Sequence, residues 1–261
     1  ARRGRRKNPS ALVVATGCGV QLEPRTYIDK GGADVAVGMN ERATLTALIA
    51  ATKAESDTIS LEHKREPAFT PFGIEDTGVI SHSRAWLKIQ EGCDFFCAYC
   101  IVPHVRGRPR SRPLREVAEE ARRLVDAGFK EIVLTGIHLG LYGRGLEEDV
   151  ELADAVDAAA AVHGLERLRL SSLEGPEVSE RLLAAMRHPA VCPHLHLPLQ
   201  SGDDGVLRRM GRRYTAGEFA EAVRRARERL DRPAITTDVI VGFPGGGERE
   251  FENTMRLCEQ I

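Results

Sequence analysis

Short apolar runs alternate with amphipathic segments along most of the chain, a pattern typical of α/β proteins. Near the start, apolar runs predict buried strands over residues 11–15 and 34–38. Helical stretches follow at about 23–30 and 41–51. Residues 1–52 therefore predict a small α/β unit with parallel strands.

The next segment, residues 53–83, is polar and has no sustained hydrophobic period. It contains Pro67, Pro71 and Gly73, which interrupt helices and strands. We predict an interdomain linker here.

A second series of βα units begins near residue 84. Each predicted strand is followed by a polar or glycine-containing loop and a helical stretch, and the strands span 86–90, 131–135, 167–171, 194–199 and 234–241. The helix after the first strand carries Leu114, Val117, Ala121 and Leu124 on one face. Five such units predict an α/β fold with an open or incomplete (β/α) barrel over residues 84–261.

Composition and charge bear on the setting of the protein. The chain has 261 residues, is 42% hydrophobic and has a net charge of −1, so no global field favours nucleic acid. Six cysteines without a signal peptide or a long apolar stretch favour a cytoplasmic protein that does not contact a membrane.

Positive charge is nevertheless concentrated in two clusters. They comprise Arg2, Arg3, Arg5, Arg6 and Lys7 at the start, and Arg106, Arg108, Arg110, Arg112 and Arg115 after residue 100. A solvated surface is the ordinary interpretation of each cluster, but the second directly follows three cysteines and is a candidate contact for an anionic substrate.

These three cysteines, Cys93, Cys97 and Cys100, form a Cys-x3-Cys-x2-Cys run, which is the strongest chemical signal in the chain. A cubane iron–sulfur cluster takes one thiolate per iron, so three thiolates leave one iron open for chemistry. The alternative is a closed structural zinc site, which needs a fourth ligand. The nearest candidate is His104 and the next cysteine is Cys192, so the spacing favours the open cluster.

Polar residues and glycines follow the other predicted strands. Because the strand ends of a β/α barrel meet at one rim, where active sites lie, these residues are expected to gather there. They are Gly136, His138, Ser172, Glu174, Gln200, Ser201, Asp238 and Gly242. Each alone is ordinary loop chemistry, but four such strand ends beside the cysteines predict a binding site.

Residues 87–112, with Gln-Glu-Gly-Cys followed by Cys-Ala-Tyr-Cys-Ile-Val-Pro-His, resemble the core of the radical S-adenosylmethionine (SAM) methylthiotransferases. The resemblance extends from about residue 8 to the end of the chain. It implies a [4Fe–4S] cluster on the three cysteines, with SAM on its open iron, Tyr99 packed on the adenine, and the strand-end residues in contact with SAM. It also implies a second, auxiliary [4Fe–4S] cluster, to which Cys18 would contribute one of three cysteines.

The same resemblance implies a reaction on RNA. Members of the family insert sulfur at an unactivated C–H bond and methylate it, using electrons from a donor such as flavodoxin or ferredoxin. Arg106, Arg108 and Arg110 would then contact phosphates of a tRNA anticodon stem-loop.

Residues 134–140 (Leu-Thr-Gly-Ile-His-Leu-Gly) resemble the branch of the family that acts on N6-threonylcarbamoyladenosine beside the anticodon. The isopentenyladenosine branch usually has Gly-Gln-Asn-Val-Asn in place of this segment. We therefore predict transfer of a methylthio group to the second ring carbon of N6-threonylcarbamoyladenosine. The isopentenyladenosine reaction, or a zinc-stabilised RNA-binding module without catalysis, are the alternatives.

Some positions depart from the family pattern. Gly246 and Gly247 stand where Glu-Thr is common, His104 replaces a tyrosine, and Gly175 interrupts a usual Glu-Pro. The family's other auxiliary cysteines, sixth barrel strand and C-terminal RNA-binding domain are not found in the sequence, so we expect a piece of a longer protein. On its own, this piece is expected to bind one cluster and not to transfer methylthio groups.

Overall fold

The computed structural model describes residues 6–39, 41, 45–51, 58–60 and 83–261. Most of the predicted linker and three residues of the first basic cluster, Arg2, Arg3 and Arg5, lie outside the described residues. Packing divides the chain into two units: residues up to 70 with Ile101–Arg108, and residues 71–100 with 109–261.

The first unit is built on a parallel sheet. Its strands, in spatial order, are β1 (Val14–Thr16), β2 (Val35–Val37) and β3 (Thr58–Ser60). Its helical segments are α1 (Cys18–Leu22), a π-helical turn (Thr26–Lys30), α2 (Leu45–Ala51) and α3 (Val102–Arg106). Val20, Ile28, Ala33 and Ala36 are buried together in its core.

Strand β3 lies inside the segment predicted as a linker. Its sequence, Thr-Ile-Ser, is too short to show a two-residue period, and it becomes a strand by pairing with β2. The domain limits at residues 52 and 84 stay predictions, while Ile101–Arg108 packs with the first unit.

The second unit has parallel strands at all five predicted positions and a short antiparallel pair. The strands are β4 (Ala85–Lys88), β5 (Gln90–Glu91), β6 (Arg110–Ser111), β7 (Glu131–Thr135), β8 (Arg167–Leu170), β9 (His194–His196) and β10 (Ala234–Thr236). The helices are α4 (Leu114–Asp126), α5 (Leu152–Ala160), α6 (Glu180–Ala185), α7 (Asp204–Met210), α8 (Ala216–Arg229) and α9 (Glu248–Gln260). Two 3-10 turns span Leu139–Leu141 and Gly175–Glu177.

The parallel strands follow one another in chain order. Strands β4, β7 and β8 form one sheet, and β9 pairs with β10. Parallel bridges from Leu168 to Val191 and from Ser172 to His196 link β8 to the chain around β9. The predicted α/β fold is confirmed, although β9 and β10 are shorter than predicted. Pro198 has no N–H for a ladder and contributes to the early end of β9.

The helices cover the strands with their apolar faces. Helix α4 starts after Pro113 and buries Val117, Ala121 and Leu124, as its period predicts. Helix α8 starts at a capping box, in which Thr215 and Glu218 each accept a hydrogen bond from the other's backbone N–H.

The main core lies between these helices and the strands. Leu87, Leu134, Leu168 and Leu195 contribute one buried side chain each from β4, β7, β8 and β9. Among the described residues, no helix is long and apolar enough to cross a lipid bilayer.

Candidate active site

The three cysteines lie on one loop, residues 92–100, which we call the cysteine loop. It follows β4 and β5 at the carboxyl end of the first parallel strand, where a β/α barrel places its active site. Cys97 is buried, Cys93 and Cys100 are half-buried, and all three are free thiols.

The cysteine loop is anchored to the end of helix α7 and to the chain that follows it. The backbone N–H of Ala98 donates to the carbonyl of Met210 at 2.9 Å. Arg213 donates to the carbonyl of Asp94 at 3.1 Å, and its guanidinium lies 4.0 Å from the centre of the Phe95 ring. The loop therefore has a fixed path although it contains no regular structure.

The Gln90 side chain is buried at the start of the same loop. Its amide nitrogen donates to the carbonyls of Glu91 and Gly92, while its oxygen accepts the backbone N–H of His138 at 2.8 Å. Gln90 thereby ties the cysteine loop to the loop after β7. A Cβ on Gly136 would lie 2.8 Å from Gln90 Cβ, so this contact requires glycine.

His138 connects Cys93 to a carboxylate. Its Nδ1 lies 3.5 Å from Cys93 Sγ, and its Nε2 lies 2.5 Å from Glu177 Oε1. Burial alone would lower the pKa of His138, but the hydrogen bonds to Cys93 and Glu177 and the negative charge of Glu177 and Glu174 raise it to about 10. At neutral pH the ring is therefore a buried cation with both nitrogens as donors.

Arg212 connects Cys97 to a second carboxylate. Its Nη1 donates to Cys97 Sγ at 3.6 Å and to the Tyr99 hydroxyl at 3.4 Å, while its Nη2 lies 2.7 Å from Glu174 Oε1. Burial lowers the pKa of Arg212, but Glu174 and the neighbouring tyrosines outweigh burial and raise it. Burial also raises the pKa of Glu174, which Arg212 opposes. The site thus contains two series of contacts, each running from a carboxylate through a cation to a thiol. One joins Glu177, His138 and Cys93, and the other joins Glu174, Arg212 and Cys97.

Both carboxylates come from one 3-10 turn, Gly175–Glu177, and its preceding residue. Glu177 Oε2 accepts the backbone N–H of Glu174 at 2.9 Å, which fixes the Glu177 side chain against the backbone of Glu174. Gly175 lets the turn approach helix α8, because a Cβ there would lie 3.3 Å from Cα of Phe219. The glycine that departs from the family pattern therefore has a packing role.

Three cysteine thiols on one loop are the type of donor that an iron–sulfur cluster takes. Among the described residues, no three His, Cys, Asp or Glu side chains converge closely enough to hold one metal ion. In a cubane each cysteine binds a different iron, so the cysteines stand farther apart than the ligands of one zinc. Two buried cations facing the thiols would also balance the negative charge of a thiolate-bound cluster.

The remaining predicted SAM contacts fall into separate parts of the rim. Ser172 is exposed and bridges to His196, whose Nε2 lies 3.2 Å from Asp238. Gln200, at a φ of 65°, exchanges backbone hydrogen bonds with Asp238 and Ile240. The structure therefore places Gln200 and Asp238 together at the ends of β9 and β10.

Ser201 and Gly242 both line a cavity of about 370 Å³ next to these strand ends. Its apolar walls include Val206, Val239 and Phe251. Contacts of Ser201 and Gly242 with SAM stay predictions. The same holds for the contacts of Tyr99, His138 and Glu174 with SAM.

The three arginines proposed for RNA are in different surroundings. Arg106 lies in the last turn of α3, and Arg108 also belongs to the first unit. Arg110 lies in β6 with its side chain mostly buried, 3.3 Å from Glu91.

Cys18 begins helix α1 after Gly17, whose φ is 118°. The roles of Cys18 and of the three arginines stay predictions.

Three residues of the site were not found from the sequence: Gln90, Glu177 and Arg212. Arg212 is 115 residues away from the thiol it contacts, so no local spacing connects them. Glu177 carries one local signal, since it completes a capping box with Glu174, but that pattern predicts only a turn.

Comparison with known proteins assigns this chain to a family. The profile of the radical SAM superfamily matches residues 87–258. The threonylcarbamoyladenosine tRNA methylthiotransferase MtaB of Bacillus subtilis is 38% identical over 99% of this chain and 58% of its own length. The tRNA-2-methylthio-N(6)-dimethylallyladenosine synthase of Syntrophomonas wolfei is also 38% identical, over 98% of this chain and 58% of its own. The chain thus spans a little over half the length of these relatives.

Solved structures agree on the fold. The cobalamin-dependent SAM radical enzyme OxsB matches 98% of this chain and 40% of its own with a TM-score of 0.64 at 13% identity. The radical SAM methyltransferase TsrM of Kitasatospora setae matches 68% of this chain and 34% of its own with a TM-score of 0.55 at 18% identity. At these identities the likeness concerns the fold alone.

Proposed function

Because the chain belongs to the radical SAM superfamily, we propose that it is part of a tRNA methylthiotransferase that acts on N6-threonylcarbamoyladenosine beside the anticodon. The observation that carries this proposal is the cysteine loop, with its three thiols and two buried cations at the strand ends of an α/β domain. The similarity to tRNA methylthiotransferases over nearly the whole chain supports the reaction class.

When bound, a [4Fe–4S] cluster and SAM would supply the one-electron chemistry that activates a C–H bond. Cys93, Cys97 and Cys100 would hold the cluster. His138 and Arg212 each hold a hydrogen-bond donor against one of these sulfurs. Tyr99 is 41% exposed, so its ring offers a face on which an adenine can stack.

The branch of the family is supported by the contacts of His138 and Gly140. The isopentenyladenosine pattern described above has two asparagines and no histidine in this segment. Here a Cβ on Gly140 would lie 2.0 Å from the carboxyl carbon of Glu177, so the position has no room for a side chain while Glu177 contacts His138. Histidine and glycine thus go together, which favours the threonylcarbamoyladenosine branch.

Further properties of the whole protein belong to the same proposal. The five strands would form part of a barrel that a further strand completes, and Cys18 would help to hold a second [4Fe–4S] cluster. Arg106, Arg108 and Arg110 would contact a tRNA anticodon stem-loop, with flavodoxin or ferredoxin as electron donor, in the cytoplasm. The absence of membrane contact is part of this expectation.

Mass spectrometry of tRNA nucleosides tests this function. Cells that lack the full-length gene should lose 2-methylthio-N6-threonylcarbamoyladenosine and accumulate the nucleoside without the methylthio group. The unmodified gene should restore the product, and Cys97→Ala should not, because the cluster would lose a ligand. Cys192→Ala serves as the matched control and should restore it, since Cys192 lies outside the cysteine loop.

Two outcomes would contradict the proposal. Loss of the methylthio group from isopentenyladenosine alone would assign the chain to the other branch. Unchanged levels of both nucleosides would reject the proposed reaction.

A further inference from the structure

Arg212 is a buried cation that touches the cysteine loop without belonging to it. Its side chain is only 7% exposed, and its two terminal nitrogens have different partners. Nη1 faces Cys97 and Tyr99, while Nη2 faces Glu174 and the Tyr214 hydroxyl at 3.1 Å. The guanidinium therefore points one edge at a predicted cluster ligand.

The surroundings hold that edge in place. The Tyr214 hydroxyl lies 2.9 Å from the carbonyl of Pro198 and 3.0 Å from that of Leu199, so it is tied to the chain after β9. Glu174 is fixed by the 3-10 turn that also carries Glu177. Burying a guanidinium and a carboxylate costs free energy that a hydrophobic pair would avoid.

We propose that Arg212 is a positioning residue that raises the reduction potential of the cluster, by donating a charge-assisted N–H···S hydrogen bond to Cys97. This inference rests on the proposed function, because it requires a cluster on the three cysteines. Reduction adds one negative charge to a cluster, and hydrogen bonds and nearby positive charge favour the reduced form. Glu174 holds the arginine and partly offsets its charge, but the positive end of the pair is the one nearest the sulfur.

The neighbouring Arg213 provides a matched control. It is the same residue type, comes from the same loop and also contacts the cysteine loop, but through the carbonyl of Asp94 and the ring of Phe95. If positive charge alone affected the reduction potential, replacing either arginine would change it. Only Arg212 donates a hydrogen bond to the ligand sulfur, so a specific effect would follow from replacing Arg212 and not Arg213.

The test is a redox titration, followed by electron paramagnetic resonance, of this chain with its cluster reconstituted anaerobically. Replacing Arg212 alone would leave Glu174 buried with only His138, 3.9 Å away, as a charged partner, so the main variant combines Arg212→Gln with Glu174→Gln. We expect at least a tenfold shift of the reduction equilibrium toward the oxidised cluster, which is about 59 mV for one electron. Arg212→Lys keeps the charge but loses the planar fork, so the expected shift is at least threefold in the same direction. Arg213→Gln should shift the equilibrium less than twofold.

The results separate this inference from the proposed function. If the unmodified chain takes up no cluster, the proposed function fails. If the cluster forms but the double variant stays within twofold of the unmodified chain, or Arg213→Gln shifts equally, the inference about Arg212 is overturned. If the double variant takes up no iron, Arg212→Lys decides, and a shift below twofold overturns the inference.

Discussion

Gly140 illustrates how one residue without a side chain shapes the site. It leaves room for the Glu177 carboxylate, which contacts His138 at 2.5 Å and through it Cys93. The contacts from Glu177 through His138 to Cys93 therefore depend on Gly140, although Gly140 has no side chain that could form a hydrogen bond.

Gly140→Ala is expected to destabilise the protein by about 1–2 kcal/mol, although alanine usually favours helical turns. The added methyl group must displace Glu177, which breaks its 2.5 Å contact with His138 and leaves only Glu174, 3.9 Å away, beside the buried ring. Urea unfolding followed by circular dichroism measures the change. The matched control is Gly217→Ala in helix α8, where a Cβ meets only Thr215 Oγ1 at 3.9 Å. It should stabilise by about 0.5–1 kcal/mol, and equal stabilisation by Gly140→Ala would refute the packing argument.

At this scale the sequence predicts some parts of the site and not others. Cys93, Cys97 and Cys100 are recognisable because their chemistry depends on local spacing. Arg212 and Glu177 are not, because their roles arise from contacts with Cys97 and His138 that only folding creates. Charged residues near turns are too common for either to stand out.

Among the elements, strands β7 and β8 are joined by a carboxylate as well as by their ladder. Glu131 accepts hydrogen bonds from Arg167 and Arg169, both at 2.9 Å, and is 13% exposed. The hydrogen bond from Arg167 lowers the pKa of Glu131 most, burial opposes it, and Arg169 adds to the lowering.

This lowered pKa predicts a pH-dependent effect of Glu131→Gln. A carboxylate with a folded-state pKa below its unfolded value stabilises the fold above the unfolded value of about 4.3, and that stability is lost as the pH falls through the folded value. Glu131→Gln should therefore cost about 1 kcal/mol at pH 7 and progressively less below pH 4, by urea unfolding at each pH. Glu166→Gln, an exposed neighbour 3.8 Å from Arg167, should change stability by less than about 0.5 kcal/mol. A constant cost of Glu131→Gln from pH 7 to 3 would contradict this account.

The periodic elements of the second unit are the part of the fold that the sequence predicts best. Helix α4 and strand β7 have the bounds that their patterns indicate, because each buries one continuous apolar surface. Strand β3 and the β5–β6 pair were missed, since two or three residues show no period and depend on partners far along the chain. Short elements are therefore determined by tertiary pairing more than by their own sequence.

For the whole molecule, the order of the parallel strands explains where the cysteine loop lies. The βα order places strand ends at one rim, and the loop after the first strand brings three thiols to it. The central claim is that these thiols hold an open [4Fe–4S] cluster, and the substrate and the role of Arg212 both depend on it.

The number of metal ions per chain after anaerobic reconstitution with iron, sulfide and zinc tests this claim most directly. We expect about four irons per chain and a brown protein. A variant with Cys93, Cys97 and Cys100 all changed to alanine should lose the iron, and Cys192→Ala should retain it. A colourless chain with one zinc ion and no iron would contradict the account.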